Sequence, residues 1–93
     1  MLKHNTYFEG QVQSVGFERN GLRASVGVVE KGEYAFDTDA PERMTVVSGE
    51  LIIKRAGEEA WVAYPAGTAF EVEAKSRFEV KVTTPAAYLC EYL

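Results

Sequence analysis

One histidine and one cysteine in 93 residues leave little material for nucleophilic or metal chemistry. His4 lies in a terminal segment open to fraying, so any Ser-His or Cys-His pair would have to recruit it from there. Cys90 alone cannot close an internal disulfide, and a core that needs no staple fits a reducing compartment, so a cytoplasmic location is expected. There is no Walker loop, dinucleotide glycine fingerprint or Cys-x-x-Cys zinc knuckle, which removes the common phosphate-loop, nicotinamide and structural-zinc readings. Apolar runs such as Leu51-Ile52-Ile53 fall far short of the ~18 residues that a bilayer-spanning helix requires, and no signal-peptide pattern is present, so no membrane partner is expected. The ten Lys and Arg are scattered among fourteen Asp and Glu for a net charge of −4, which gives counterion release little to act on and argues against nucleic acid as a partner.

What remains is an ordinary globular composition, 46% apolar, 12% aromatic and 26% charged, which excludes collagen-like, coiled-coil and disordered classes. The length supports a single domain over residues 1–93. A chain this short has a thin stability margin that pairing with a second copy would widen, so a homo-oligomer is expected. Turn chemistry recurs at Asn20-Gly21, Lys31-Gly32, Ser48-Gly49, Ala56-Gly57 and Ala66-Gly67, with Pro41, Pro65 and Pro85 between, leaving no room for a long helix. The intervening pieces alternate. Phe78, Val80 and Val82 interleave with Arg77, Glu79, Lys81 and Thr83; Phe70 and Val72 with Glu71 and Glu73; Tyr34, Phe36 and Thr38 with Glu33, Ala35 and Asp37. Short strands at regular spacing argue for an all-β sandwich or small barrel.

The stretch Arg23 to Val28 also alternates, and periodicity by itself turns Ala24, Val26 and Val28 to the core and Arg23 and Ser25 to water. Tyr88, Cys90 and Tyr92 face opposite Leu89, Glu91 and Leu93, so the last strand needs cover on both sides, with Leu89 and Leu93 as candidate subunit contacts. Cys90 reads as a buried small hydrophobe, and Trp61 as packing.

Two segments carry spacing of a recognisable kind. Glu42 to Gly49 within Gly32–Gly49, and Pro65-Ala66-Gly67 within Tyr64–Phe70, resemble the two cupin motifs, in which a Glu precedes a Gly after six residues and a Pro-x-Gly turn precedes a metal-ligating His. Where that superfamily places histidines, this chain has Phe36, Thr38 and Phe70, leaving Glu42 as the one metal-capable side chain. A divalent transition metal needs about three or four converging donors, so a metal-free, cupin-like (RmlC-like) jelly roll without a cofactor is implied. On spacing alone Glu42 is equally a solvated loop carboxylate beside Pro41. Buried, it would need a partner such as Arg43 or Arg23.

Across nearly the whole chain, Tyr7-Phe8, Val15-Gly16-Phe17, Arg23-Ala24-Ser25-Val26-Gly27-Val28, Gly32-Glu33-Tyr34, Met44-Thr45-Val46 and Tyr88-Leu89-Cys90-Glu91-Tyr92-Leu93 resemble the small cupin-like pyrimidine/purine nucleoside phosphorylase family. The resemblance implies a metal-free homodimer that converts a nucleoside and inorganic phosphate into a free base and a pentose 1-phosphate. It also favours the opposite facing of the Arg23 strand, with a partner or second sheet covering the valines.

Such a reaction passes through an oxocarbenium-like state and needs donors for phosphate and a pocket for the base. The guanidinium fork of Arg23 suits phosphate, with the Ser25 hydroxyl two residues along on the same face. Tyr34 and Phe36 offer ring faces for a base and Thr38 a partner for a ribose oxygen, although two aromatics on one strand face are also ordinary core. Phe70 and Tyr92 complete the candidate binding residues, and Glu42 is the candidate catalytic group, holding ribose hydroxyls or steadying positive charge at the sugar carbon. The rival reading is a non-catalytic cupin that binds a small molecule.

Overall fold

The alternating segments form ten strands in the computed structural model, which describes residues 1–93. They are β1 (Lys3–Tyr7), β2 (Val12–Arg19), β3 (Leu22–Val29), β4 (Gly32–Asp37), β5 (Glu42–Ser48), β6 (Glu50–Arg55), β7 (Val62–Pro65), β8 (Ala69–Val72), β9 (Arg77–Val82) and β10 (Ala86–Tyr92), with a single 3-10 turn at Phe8–Gly10. A six-stranded sheet in the order β1-β2-β3-β10-β5-β8 lies against a four-stranded sheet in the order β4-β9-β6-β7. Every pairing is antiparallel. The chain crosses repeatedly between the layers, so each sheet shields the apolar face of the other in an all-β, cupin-like jelly roll.

The two ends of the sandwich are filled differently. Met44 and Val46 of β5, Leu51 and Ile53 of β6, Phe70 and Val72 of β8 and Phe78, Val80 and Val82 of β9 are all buried in one cluster, the packed core. Along β9 the period of two is realised as expected, with Phe78, Val80 and Val82 inside and Arg77 and Glu79 in water. At the other end the inner faces of β2 and β3 carry small residues. Ser14 of β2 pairs with Gly27, and Gly16 with Ser25. Residues of that size leave space between the sheets, and the cavity described below occupies it.

Along β3, Arg23 is exposed and Ala24 buried as hydrophobic periodicity predicts, but from Ser25 onward the facing is the reverse. Ser25, Gly27 and Val29 are buried, whereas Val26 and Val28 stand on the outer surface. Gly27 is required where it is because the hydroxyl end of the Tyr88 ring lies against it, and an ideal Cβ there would overlap that ring. Gly49, the glycine of the cupin-like spacing, makes the tight turn from β5 to β6 at φ 76° and sits against the backbone of Pro85 and Ala86. The N-terminal residues are held in the sheet, since β1 pairs with β2 from Lys3↔Gly16 to Tyr7↔Val12.

Candidate active site

Residues paired across neighbouring strands share a sheet face, and the register sets three inward rows over the site. Ser14, Gly27 and Tyr88 form one, Gly16, Ser25, Cys90 and Met44 the next, and Tyr92 with Glu42 the third. Above them the β4 residue Phe36 closes the opposite wall. The cavity between these walls is open on one side and has a volume of about 300 Å³, at the lower end of the range for small-molecule sites. It continues into a wider mouth of about 630 Å³ formed by Arg23, the Asp37–Ala40 loop, Glu42 and Tyr92. Asp37, Glu42 and Tyr92 line both chambers and mark the junction between them.

Glu42 begins β5 opposite Tyr92 of β10, and the Leu93 amide donates to the Pro41 carbonyl at 2.9 Å, which clamps the two strand ends together. The carboxylate is half-buried, and its Oε1 accepts from the Cys90 thiol at 3.4 Å. Desolvation raises the Glu42 carboxyl above its ordinary value, and the thiol hydrogen bond offsets part of that rise. Burial, with the Glu42 charge beside it, pushes the Cys90 thiol well up, so it stays protonated as donor. Burial likewise raises the phenols of Tyr88 and Tyr92. The site is thus lined with neutral hydrogen-bonding groups around one poorly solvated carboxyl.

Arg23 lies in the mouth with its guanidinium 4.8 Å from the centre of the Tyr92 ring, and no carboxylate pairs with it. Asp37 shares the mouth but is paired with Arg77 at 2.9 Å, which lowers its carboxyl below the ordinary aspartate value. Ser25 is buried in the inner chamber two residues from Arg23, and Phe36, Glu42 and Tyr92 join it there.

The remaining sequence candidates lie elsewhere or are engaged. Phe70 packs in the core, 4.6 Å from the Tyr64 ring and 6.2 Å from Phe78, outside the cavity lining. The Tyr34 hydroxyl donates to the Glu30 carbonyl at 2.7 Å, tying down the β3–β4 turn, and its ring flanks Phe36 without lining the cavity. The Thr38 hydroxyl donates to the Glu73 carbonyl at 2.6 Å and accepts from the Ser76 amide at 3.0 Å. It is a structural clip between β4 and the β8–β9 loop, at the edge of the mouth. Sequence reasoning did not single out Tyr7, Phe8, Ser14 and Tyr88, which also line the inner chamber. Alternation assigned Tyr88 to the face of Cys90, but a pocket role for Tyr7 and Phe8 depends on the turn after β1, for which Gly10 is the one local signal.

The family model described as pyrimidine/purine nucleoside phosphorylase matches residues 2–92. The chain belongs to that family. A nucleoside phosphorylase family member from Sorangium cellulosum, named pyrimidine/purine nucleoside phosphorylase, is 66% identical over 93 residues, covering all of both chains. The crystal structure of a Vibrio parahaemolyticus protein of unknown function is 54% identical and superposes with a TM-score of 0.97, covering 100% of this chain and 99% of that one. An RmlC-like cupin from Shewanella frigidimarina superposes with a TM-score of 0.76 at 18% identity, covering 98% and 82% of the two chains, which makes the fold cupin-like.

A divalent metal of the kind many cupins hold does not fit this family member. Phe36 and Phe70 offer no lone pair, the Thr38 oxygen is engaged, and no three His, Cys, Asp or Glu side chains converge anywhere in the chain.

Proposed function

We propose that the protein is a metal-independent nucleoside phosphorylase that cleaves purine and pyrimidine nucleosides with inorganic phosphate to a free base and a pentose 1-phosphate. The observation that carries this reading is the position of Glu42 at the junction between a chamber walled by Phe36 and a mouth holding the unpaired Arg23. The base fits the inner chamber against Phe36, phosphate meets the Arg23 fork, and the sugar falls between them beside Glu42. A phosphate oxygen then bonds to the anomeric carbon as the C–N bond breaks with its electron pair on the base, and the proton that the attacking hydrogen phosphate gives up balances the one the base takes as it leaves. Positive charge develops on the sugar next to a carboxylate that is short of water, where its attraction is strongest. Ser25 and Tyr92 supply hydroxyls to the ribose or phosphate. A pocket that stacks bases and contacts few of their edges accounts for acceptance of both base classes.

This reading includes a homodimer joined through the outer face of the six-stranded sheet, and a cytoplasmic location where nucleosides and phosphate are both present. Val15, Val26 and Leu89 lie in register across β2, β3 and β10, with Val28 and Ala87 in the next row, and Val26 and Val28 are 44% and 55% exposed. A self-complementary sheet face of this kind suits a two-fold contact.

Asp37 and Asp39 in the mouth favour a second reading, a non-catalytic cupin that binds an uncharged small molecule, because carboxylates beside Arg23 oppose an anion. Arg23→Ala separates the two. In a phosphorylase it raises the phosphate KM about tenfold or more, the loss of a charge-assisted bidentate contact, and leaves the nucleoside KM near wild type. An unchanged phosphate KM removes Arg23 from the site.

A further inference from the structure

We propose that Phe8 is the movable half of an aromatic clamp on the nucleobase, with Phe36 as the fixed half. The proposal rests on the nucleoside reading above and adds the residue and the movement that admit the base.

The two rings are near parallel, with an interplanar angle of 19° and centroids 6.1 Å apart, and both line the inner chamber. A planar base held between two rings needs their planes about 7 Å apart, twice the ~3.5 Å contact distance of carbon atoms, and since the planes can be no farther apart than the centroids, the gap must open by at least about 1 Å. Phe36 cannot supply that movement. It lies within β4, pairs with Phe78 of β9, and its ring meets Phe78 edge-on at 5.4 Å.

Phe8 sits on a different kind of backbone. Phe8, Glu9 and Gly10 follow one another at φ 51°, 55° and 90°, all in the left-handed region, and a bulky aromatic rarely adopts such an angle. Tyr7 makes no side-chain cap to the turn, within it the backbone makes one hydrogen bond, from the Gln11 amide to the Phe8 carbonyl at 3.1 Å, and the one side-chain bond to it is from the Gln13 amide to the Gly10 carbonyl at 3.2 Å, two residues beyond Phe8. The Phe8 side chain is 45% exposed although it leans on the Tyr34 ring at 5.0 Å. Strained backbone held by few contacts at the rim of a ligand site is where a small displacement costs least. A ring that closes on the π-face of the base is indifferent to which base it meets.

The test is steady-state kinetics of Phe8→Ala and Phe8→Tyr with inosine and with uridine, varying nucleoside and phosphate separately. The clamp predicts that Phe8→Ala raises KM for both nucleosides about tenfold or more, the loss typical of removing one stacking ring, with the phosphate KM unchanged and kcat within a few-fold. Phe8→Tyr restores wild-type KM. Should Phe8→Ala not fold, Phe8→Leu keeps the apolar bulk without a π-face and carries the same prediction. Nucleoside KM values within twofold of wild type in the alanine or leucine variant, or a rise confined to phosphate, overturn the clamp while leaving phosphorolysis standing. Wild-type protein that turns over neither nucleoside overturns the phosphorylase reading and the clamp with it.

Discussion

At the scale of single residues, the proposed catalytic group is Glu42, where the role proposed for it and the stability of the fold pull in opposite directions. Burial raises its carboxyl, so the folded state holds the proton more tightly than the unfolded chain does. The stability linked to that proton is fully present below the ordinary glutamate pKa and is lost as pH rises through the raised folded value. Glu42→Gln, which carries no charge to bury, should therefore unfold at a higher temperature than wild type at neutral pH, with the difference vanishing in acid. The same variant should lose about a hundredfold or more in kcat, because a neutral amide offers little to positive charge on the sugar. Equal melting temperatures at neutral pH, or retained kcat, contradict this account. Cys90 tunes the group, since its thiol bond to Glu42 opposes the rise. Replacing Cys90 with Ala should move the acid limb of kcat to higher pH, with Tyr88, Tyr92, Arg23 and Asp37 left as the neighbouring titratable groups. An acid limb at the wild-type pH would show that the thiol does not act on Glu42.

At the scale of elements, β3 makes the site by what it omits and β10 by the side chains it supplies, Tyr88, Cys90 and Tyr92. Gly27→Ala should destabilise the fold by about 1–3 kcal/mol in urea titration through collision with Tyr88, and most of that cost should disappear in a Tyr88→Ala background. Additive losses would mean the two positions do not meet. Thr38→Val should cost a further ~1–3 kcal/mol by stranding the Glu73 carbonyl and Ser76 amide. These elements also explain what could be read in advance. The β9 alternation was legible because Phe78, Val80 and Val82 meet only core on one side and water on the other. Along β3 the pattern misleads, since small Ser25 faces the cavity and Gly27 makes room for the Tyr88 ring while Val26 and Val28 face outward. Ser25, Phe36, Glu42 and Tyr92 line the inner chamber and Arg23, Glu42 and Tyr92 the mouth; for Arg23 and Ser25 alternation points to water, and only the resemblance points to the site. Tyr34, Thr38 and Phe70 share the right inward direction, but alternation gives direction only, and cannot tell a ring in the core or a hydroxyl in a clip from one that lines a pocket. Phe8 escaped notice because its position follows from three successive left-handed residues, two of them types that seldom adopt that conformation.

At the scale of the whole molecule, a cavity interrupts the packing between the two sheets, and in the proposed dimer burial of the outer valine face would add to the stability of the fold. Wild-type protein should sediment at twice the chain mass, and Val28→Lys should shift it to the monomer; a monomeric wild type contradicts the proposed dimer. Chelator treatment should leave turnover unchanged, given the lack of converging metal donors, and inactivation restored by a divalent metal would refute that expectation. The most direct test of the central claim is phosphorus NMR of purified protein incubated with uridine or inosine and inorganic phosphate. The account predicts a pentose 1-phosphate resonance growing in step with free base, and no base without phosphate. Base released equally without phosphate, or no product from either nucleoside, would contradict it.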